Sequence, residues 1–181
     1  SQIPLTIRAV VGKGWGQGPQ HSKTLHSWFA HLPGLSVVYP SSPYEAKGLM
    51  LSSIFANYPT IFFESRSLHA MEENVPTEPY FLDPAKAFIR KKGKDLTIVG
   101  FGPSVKNALE VSSILERSKN ISCEVIDLRS LNPIDEKTIL SSVEKTQNLC
   151  LIEHGWPNSS ISSDVISKVV EKVKLKNKPI K

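Results

Sequence analysis

Cysteine is scarce: Cys123 and Cys150 are the only two in 181 residues. Both lie in apolar runs without C-x-x-C spacing, so they are expected to be buried free thiols in a reducing compartment. No grouping of residues has the ligand spacing of a zinc site. No apolar run approaches the ~18 residues of a membrane span, and the first residues lack a basic region followed by an apolar stretch, so no signal peptide is visible. The phosphate loop G-x-x-x-x-G-K-[ST] is absent, and so is the G-x-S-x-G elbow. There is no internal repeat and no low-complexity segment.

The rest of the composition is that of an ordinary globular chain, with 40% hydrophobic and 22% charged residues, enough for one large domain or two small ones. The net charge of +5 owes much to six lysines between Lys168 and Lys181. No aromatics interleave with them, so the pattern reads as a solvated helix face and tail, and no nucleic-acid or membrane partner is expected.

Glycine is concentrated in one place. Gly12, Gly14, Gly16 and Gly18 fall on alternate positions, and Pro19-Gln20-His21-Ser22 follows. Such a run cannot pack a core and lets backbone approach a ligand closely. Pro19 stands where the dinucleotide fingerprint needs its third glycine, which excludes that motif. Residues 3 to 11 read as a buried strand. Leu25, Trp28, Phe29 and Leu32 recur at the helix period, so the loop is expected to join a strand to a helix. Ser22 is the expected N-cap, placing His21 at the positive end of that helix, where unpaired N–H groups attract anions. An imidazole there can donate or accept a proton or polarise a carbonyl.

The pattern then alternates. A short strand over residues 35 to 39 is followed by Ser42-Pro43-Tyr44-Glu45, a capping box with proline at the first helical position. Ala46, Leu49, Met50, Ser53 and Ile54 form the buried stripe of a helix ending near Asn57. Residues 60 to 64 make a strand closing on Glu64. Ligands in parallel α/β sheets gather at the carboxyl ends of strands, where His21 and Glu64 both fall. Residues 65 to 84 are proline-rich and aperiodic, and read as a crossing between domains. Beyond them the pattern restarts: a strand over 96 to 101, a helix from Ser104, a strand over 121 to 128, a helix capped by Asn132, a strand over 149 to 153, and a last helix with Ile161, Val165, Val169 and Val173 on one face. The expected fold is α/β with two parallel-sheet domains, residues 1–83 and 84–181.

Several polar residues have two readings. Glu64 could serve the site or support the fold. Arg66 and His69 could line the same cleft or sit on an exposed loop. His31 is expected to bond carbonyls at a helix C-terminus, His26 to face solvent, and Arg129 to brace the contact between domains. Glu153-His154-Gly155-Trp156 could form a second small site, but is expected to be a rigid turn with a buried tryptophan.

Four blocks carry a resemblance: Gly-Gln-Gly-Pro-Gln-His-Ser at 16 to 22, His-Leu-Pro-Gly-Leu-Ser-Val-Val-Tyr-Pro at 31 to 40, Glu-Ala-Lys-Gly-Leu at 45 to 49, and Asp-Leu-Arg-Ser-Leu-Asn-Pro-Ile-Asp at 127 to 135. With Glu-His-Gly-Trp-Pro at 153 to 157, they are similar to the beta subunit of the thiamine-diphosphate-dependent component of 2-oxo acid dehydrogenase complexes, a branch of the transketolase family. The resemblance covers the whole chain in order. It implies the second half of a pyrimidine-binding domain followed by most of a transketolase C-terminal domain, with His21 facing thiazolium and substrate and with Gln20 and Glu64 on the cofactor. It also implies a monovalent cation, usually potassium, on the backbone carbonyls of Leu5, Ser53, Ala56 and Tyr58. The activating glutamate and the aromatic that stacks on the pyrimidine would lie in the absent N-terminal half. The diphosphate and magnesium would be held by an alpha subunit.

The partners implied are that alpha subunit, a second beta subunit and the lipoyl acyltransferase core, in a bacterial cytoplasm or a mitochondrial matrix. The chain opens on a strand and stops after a helix, as a fragment would. Two other readings stand beside this one: another transketolase-family enzyme such as a deoxyxylulose-phosphate synthase, and a non-catalytic assembly module.

Overall fold

The computed structural model describes residues 3–12 and 18–176. Residues 13–17 of the glycine run and the final residues 177–181 lie outside the described residues, and with them the expectations placed on Gly14, Gly16 and the last two lysines. In chain order the elements are β1 (Thr6–Val11), α1 (Gly18–His21), α2 (His26–Ala30), β2 (Ser36–Val38), α3 (Pro43–Ile54), β3 (Thr60–Ser65), β4 (Phe88–Lys91), β5 (Leu96–Gly100), α4 (Ser104–Lys119), β6 (Cys123–Asp127), β7 (Ser130–Asn132), α5 (Glu136–Thr146), β8 (Leu149–Leu151) and α6 (Ile161–Lys172). No described helix is long and apolar enough to cross a membrane.

The strands form two four-stranded sheets, ordered β1-β3-β2-β7 and β4-β6-β5-β8. The expected parallel pairing holds for β1, β2 and β3 and for β5, β6 and β8. Each sheet also has one antiparallel edge, β7 on β2 and β4 on β6, so both are mixed. β7 follows β6 in sequence yet completes the first sheet. Arg129, at φ +60°, turns the chain between them. The two sheets share one core, in which Val37, Tyr39, Ile61 and Phe63 meet Val99, Phe101, Ile126 and Leu128, while Ile161, Val165, Val169 and Val173 cover the second sheet as expected.

Local chemistry corrects several expectations. Ser42 caps α3 by accepting from the Glu45 N–H, but the Glu45 carboxylate turns inward instead of closing the box. α5 is capped by Asp135, not Asn132: Asp135 accepts from the Thr138 N–H, while the Asn132 amide donates to the carbonyls of Leu32 and Leu35. Ile54, at the last turn of α3, is exposed, and Gly48 takes its place in the buried face under Tyr80 and Leu82. β1 is an edge strand, so Ile7 and Val10 are exposed and the strand is not buried. Cys123 is buried, but Cys150 is exposed because β8 is an edge.

The proline-rich segment after β3 runs along α3. Tyr80 stacks on Tyr44 at 4.6 Å and its hydroxyl donates to the Tyr44 carbonyl, and the Leu82 N–H donates to Ser52 Oγ. It delivers the chain to β4 and places Arg90 beside α3. There a buried polar cluster joins the two sheets. Arg129 Nε lies 2.7 Å from Glu45 Oε1, and Arg90 lies 2.9 Å from Glu45 Oε2 and 3.3 Å from Asp127 Oδ2. Ser41 Oγ donates to Asp127, and the Arg129 guanidinium lies 4.6 Å from the Phe88 ring centroid. Arg129 therefore braces the contact, as expected.

Burial pushes the Asp127 carboxyl up to about 8, and the neighbouring Glu45 charge adds to the effect against Arg90 and Ser41. Burial also acts to raise Glu45, but the Asp127 hydrogen bond and the two guanidinium groups hold it below the usual range. Because the folded-state value of Asp127 lies above the ~3.9 of an unfolded aspartate, its contribution is full below about pH 4 and is lost as pH rises toward about 8. Asp127→Asn, which mimics the protonated group, should remove that part of the decline. Urea unfolding of both proteins across this range checks it.

Candidate active site

Three strands of the first sheet end together. Gly12 follows β1, Tyr39 follows β2 and Ser65 closes β3, and all three line a cavity of about 540 Å³. Ser22, Thr24 and Leu25 enclose it from the glycine loop, while Pro103 and Gly155 close it from the second sheet. This is where the parallel strands direct their carboxyl ends, and where ligands collect in such folds. A second cavity, of about 640 Å³, adjoins it and shares Thr24, Leu25 and Trp156.

His21 is exposed and closes α1, a single helical turn. It is therefore not at the start of the next helix, and Ser22 is not its cap. Ser22 Oγ donates back to the Gly18 carbonyl at 2.8 Å, and α2 begins after Leu25 without a side-chain cap. Gln20 is also exposed, on the same turn. Glu64 is held by Arg8, whose Nε and Nη2 lie 2.5 and 2.8 Å from the two carboxylate oxygens, with His69 Nε2 3.5 Å away. The His31 backbone N–H bonds the carbonyls of Ser27 and Phe29, which makes it the C-cap through its main chain rather than its imidazole.

His26 was expected to face solvent, and it is 1% exposed. α2 is only five residues long, and His26, Phe29 and Ala30 form its inner face, leaving Trp28 72% exposed. The His26 ring packs edge-on against Phe101 at 5.1 Å, and its Nε2 lies 2.7 Å from Glu153 Oε1. A carboxylate only accepts, so Nε2 carries the hydrogen. The second Glu153 oxygen accepts from the Ser162 N–H and hydroxyl at the start of α6. Burial acts to raise the Glu153 carboxyl, but His26 and Ser162 prevail and hold it below the usual carboxylate range. A Cβ on Gly155 would come within 3.0 Å of the His26 ring, so glycine leaves room for the pair. Trp156, expected to be buried, is 75% exposed and borders both cavities. Nothing in the sequence pairs His26 with Glu153, which lie 127 positions apart.

Tyr39 is fixed between the sheets. Its N–H donates to the Arg129 carbonyl, its carbonyl accepts from the Gly102 N–H, and its ring lies against Gly102, where a Cβ would approach to 2.8 Å. Burial raises the phenol to about 12. Ser65 is close enough to offset that rise in part, but Ser65 Oγ bonds Ser67 Oγ at 2.9 Å, and Tyr39 Oη has no partner in hydrogen-bond geometry.

Comparison with known proteins decides the family. Residues 1–71 match the transketolase pyrimidine binding domain, and residues 85–181 match the transketolase C-terminal domain. The chain belongs to the transketolase family. It is 40% identical over 172 residues to the acetoin:2,6-dichlorophenolindophenol oxidoreductase subunit beta of Bacillus subtilis, covering 95% of this chain and 50% of that protein. It is 38% identical over 170 residues to the pyruvate dehydrogenase E1 component subunit beta of Staphylococcus epidermidis, covering 93% of this chain and 52% of that protein. The chain thus spans about half the length of these curated relatives. A solved structure titled split gene transketolase, inactive beta4 tetramer, superposes with a TM-score of 0.82 at 24% identity, over 96% of this chain and 56% of that one. That likeness supports the transketolase fold of the two mixed sheets.

Glu153→Gln should cost about 1–3 kcal/mol at neutral pH, because His26 and the α6 start lose their charged acceptor. An acid whose folded value is depressed contributes fully above its unfolded value, ~4.3 for glutamate, and loses that contribution as pH falls through the folded value. The gap between the two proteins should therefore close in acid, as thermal melts from pH 7 to pH 3 would read.

Proposed function

We propose that this chain is part of the beta subunit of a thiamine-diphosphate-dependent 2-oxo acid dehydrogenase component, working with an alpha subunit and a second beta subunit and passing its acyl product to a lipoyl acyltransferase core. The observation that carries the reading is the cavity at the strand ends, bordered by Gly12 and Ser22 on either side of the loop that bears His21. The 38–40% identity to beta subunits of pyruvate and acetoin enzymes supports it.

The residues present suit a cofactor shared between subunits. The cavity offers hydroxyls, apolar walls and an unpaired phenol. Among the described residues no group of three or more His, Cys, Asp or Glu side chains could hold a metal ion, so no magnesium ligand is assigned to this chain. Thiamine diphosphate supplies, when bound, the carbon nucleophile and electron sink for cleavage next to a carbonyl. His21 would move a proton at the substrate oxygen; it is exposed on a single turn and immediately precedes Ser22, which lines the cavity. Gln20 and Glu64 would flank the cofactor, Glu64 with Arg8 as its counter-ion.

The cation reading has its own support. Thr6 Oγ1 donates to the Ser53 carbonyl at 2.9 Å, which ties β1 to the end of α3, and the Thr60 N–H at the start of β3 donates to the Leu5 carbonyl at 2.8 Å. The Ser53 carbonyl also accepts from the Ala56 N–H at 3.3 Å, and the helix C-terminus is its negative end. Potassium held by the carbonyls of Leu5, Ser53, Ala56 and Tyr58 would be drawn to that negative end, as it is to carbonyl rings elsewhere.

A second reading, acetoin as the substrate, is favoured by the relatives at 40% identity that carry that name. One experiment separates the two: the full-length subunit, assembled with its alpha subunit and thiamine diphosphate, assayed on a panel of 2-oxo acids and acetoin. In that assembly His21→Ala should keep cofactor affinity and lose turnover by roughly 10²–10⁴-fold, the usual worth of a positioned acid–base group. Wild-type turnover in the variant would remove His21 from the site.

A further inference from the structure

Tyr39 Oη is a buried hydroxyl with no hydrogen-bond partner, on a residue that lines the strand-end cavity. Buried polar groups of this kind are rare in folded proteins and call for an explanation. The ring cannot turn to find a partner. It is packed among His26, Phe63 and Phe101, with its face against Gly102. The phenol keeps its proton at neutral pH, so the hydroxyl has a hydrogen to give.

Two serines continue from it toward the opening. Ser65 is buried and lines the cavity, and its Oγ bonds that of Ser67, which is exposed and also lines the cavity. In that pair either oxygen can be the donor. Solvent meets the exposed Ser67 hydroxyl in the open site, so the pair can point either way. An acceptor oxygen at Ser67 fixes the direction. Ser67 then donates to it, Ser65 donates to Ser67, and a small rotation lets Ser65 accept from Tyr39. All three hydrogens are used, and aligned hydroxyls polarise one another.

We propose that the Tyr39–Ser65–Ser67 hydroxyl row is the specificity wall of the substrate pocket, and that it selects a substrate carrying a hydrogen-bond acceptor on its side chain, beyond the 2-oxo acid group itself. The preferred substrate class is then a hydroxylated or carboxylated 2-oxo acid rather than one with a saturated alkyl chain. This deepens the reading of the site given above and rests on it. The chemistry behind the selection is general: a site that hydrogen-bonds a substrate group rejects the analogue lacking it, because its own polar groups are left unpaired.

The test uses 4-hydroxy-2-oxobutanoate and 2-oxopentanoate, in which a hydroxyl replaces a methyl. The full-length subunit with its alpha subunit and thiamine diphosphate should favour the hydroxylated acid in kcat/KM by about tenfold or more. Tyr39→Phe and Ser67→Ala should each bring that ratio toward unity, and Tyr39→Phe should melt no lower than wild type, since it deletes a hydroxyl that has no partner. An unchanged ratio in both variants overturns the proposal. So does a lowered melting temperature in Tyr39→Phe with an unchanged ratio, which would make the hydroxyl structural. If the wild type turns over neither acid, nor any other on the panel, the functional reading fails, and calorimetric binding of the same two acids decides the inference separately. A preference that Tyr39→Phe abolishes supports it, and equal binding to both proteins overturns it.

Discussion

The Glu45 carboxylate is fully buried, and the two guanidinium groups that neutralise it come from the far side of the crossing segment. Everything else at the junction follows from that placement. Arg129 can reach Glu45 only because the chain reverses after β6 and lays β7 along β2. That reversal brings the Arg129 carbonyl to the Tyr39 N–H and holds Tyr39 at the mouth of the cavity. A buried charge missing its partner costs more than the pair contributes, so the cluster acts mainly as a register pin. It allows one relative placement of the two sheets and makes others expensive.

The second link across the junction, His26 with Glu153, works at the other end of the cavity. It ties the helix after the glycine loop to the start of α6. Gly12 at the end of β1 and His26 under Phe101 are the fixed points that flank the glycine run in sequence.

Much of the architecture was legible in the residues. The helix-period stripes of α4 and α6, the proline and serine at the start of α3 and the β-branched runs of β5 and β6 each report a local preference that packing leaves intact. What escaped was decided by tertiary partners. β7 is three residues long and exists because β2 offers it an edge. Asn132 looked like a cap, but its amide found the carbonyls of Leu32 and Leu35 nearly a hundred positions away in sequence. His26 looked solvent-facing because a histidine on a five-residue helix carries no periodic signal, and only Glu153 makes its burial tolerable. At the site, the glycine run and His21 stood out, whereas Tyr39 read as a strand residue and its serines as part of the crossing segment. Their unsatisfied hydroxyl is visible only once the sheets are assembled.

The central claim is that Glu45 and Arg129 act as one unit across the junction. A double-mutant cycle with Glu45→Gln and Arg129→Met, read by urea unfolding, tests it most directly. The account predicts that either single change is strongly destabilising and that the double mutant is much less so than their sum, with a coupling of about 1–3 kcal/mol for contacting residues. Additive effects would mean that the two side chains contribute independently, and the cluster would then not be what holds the two sheets in register.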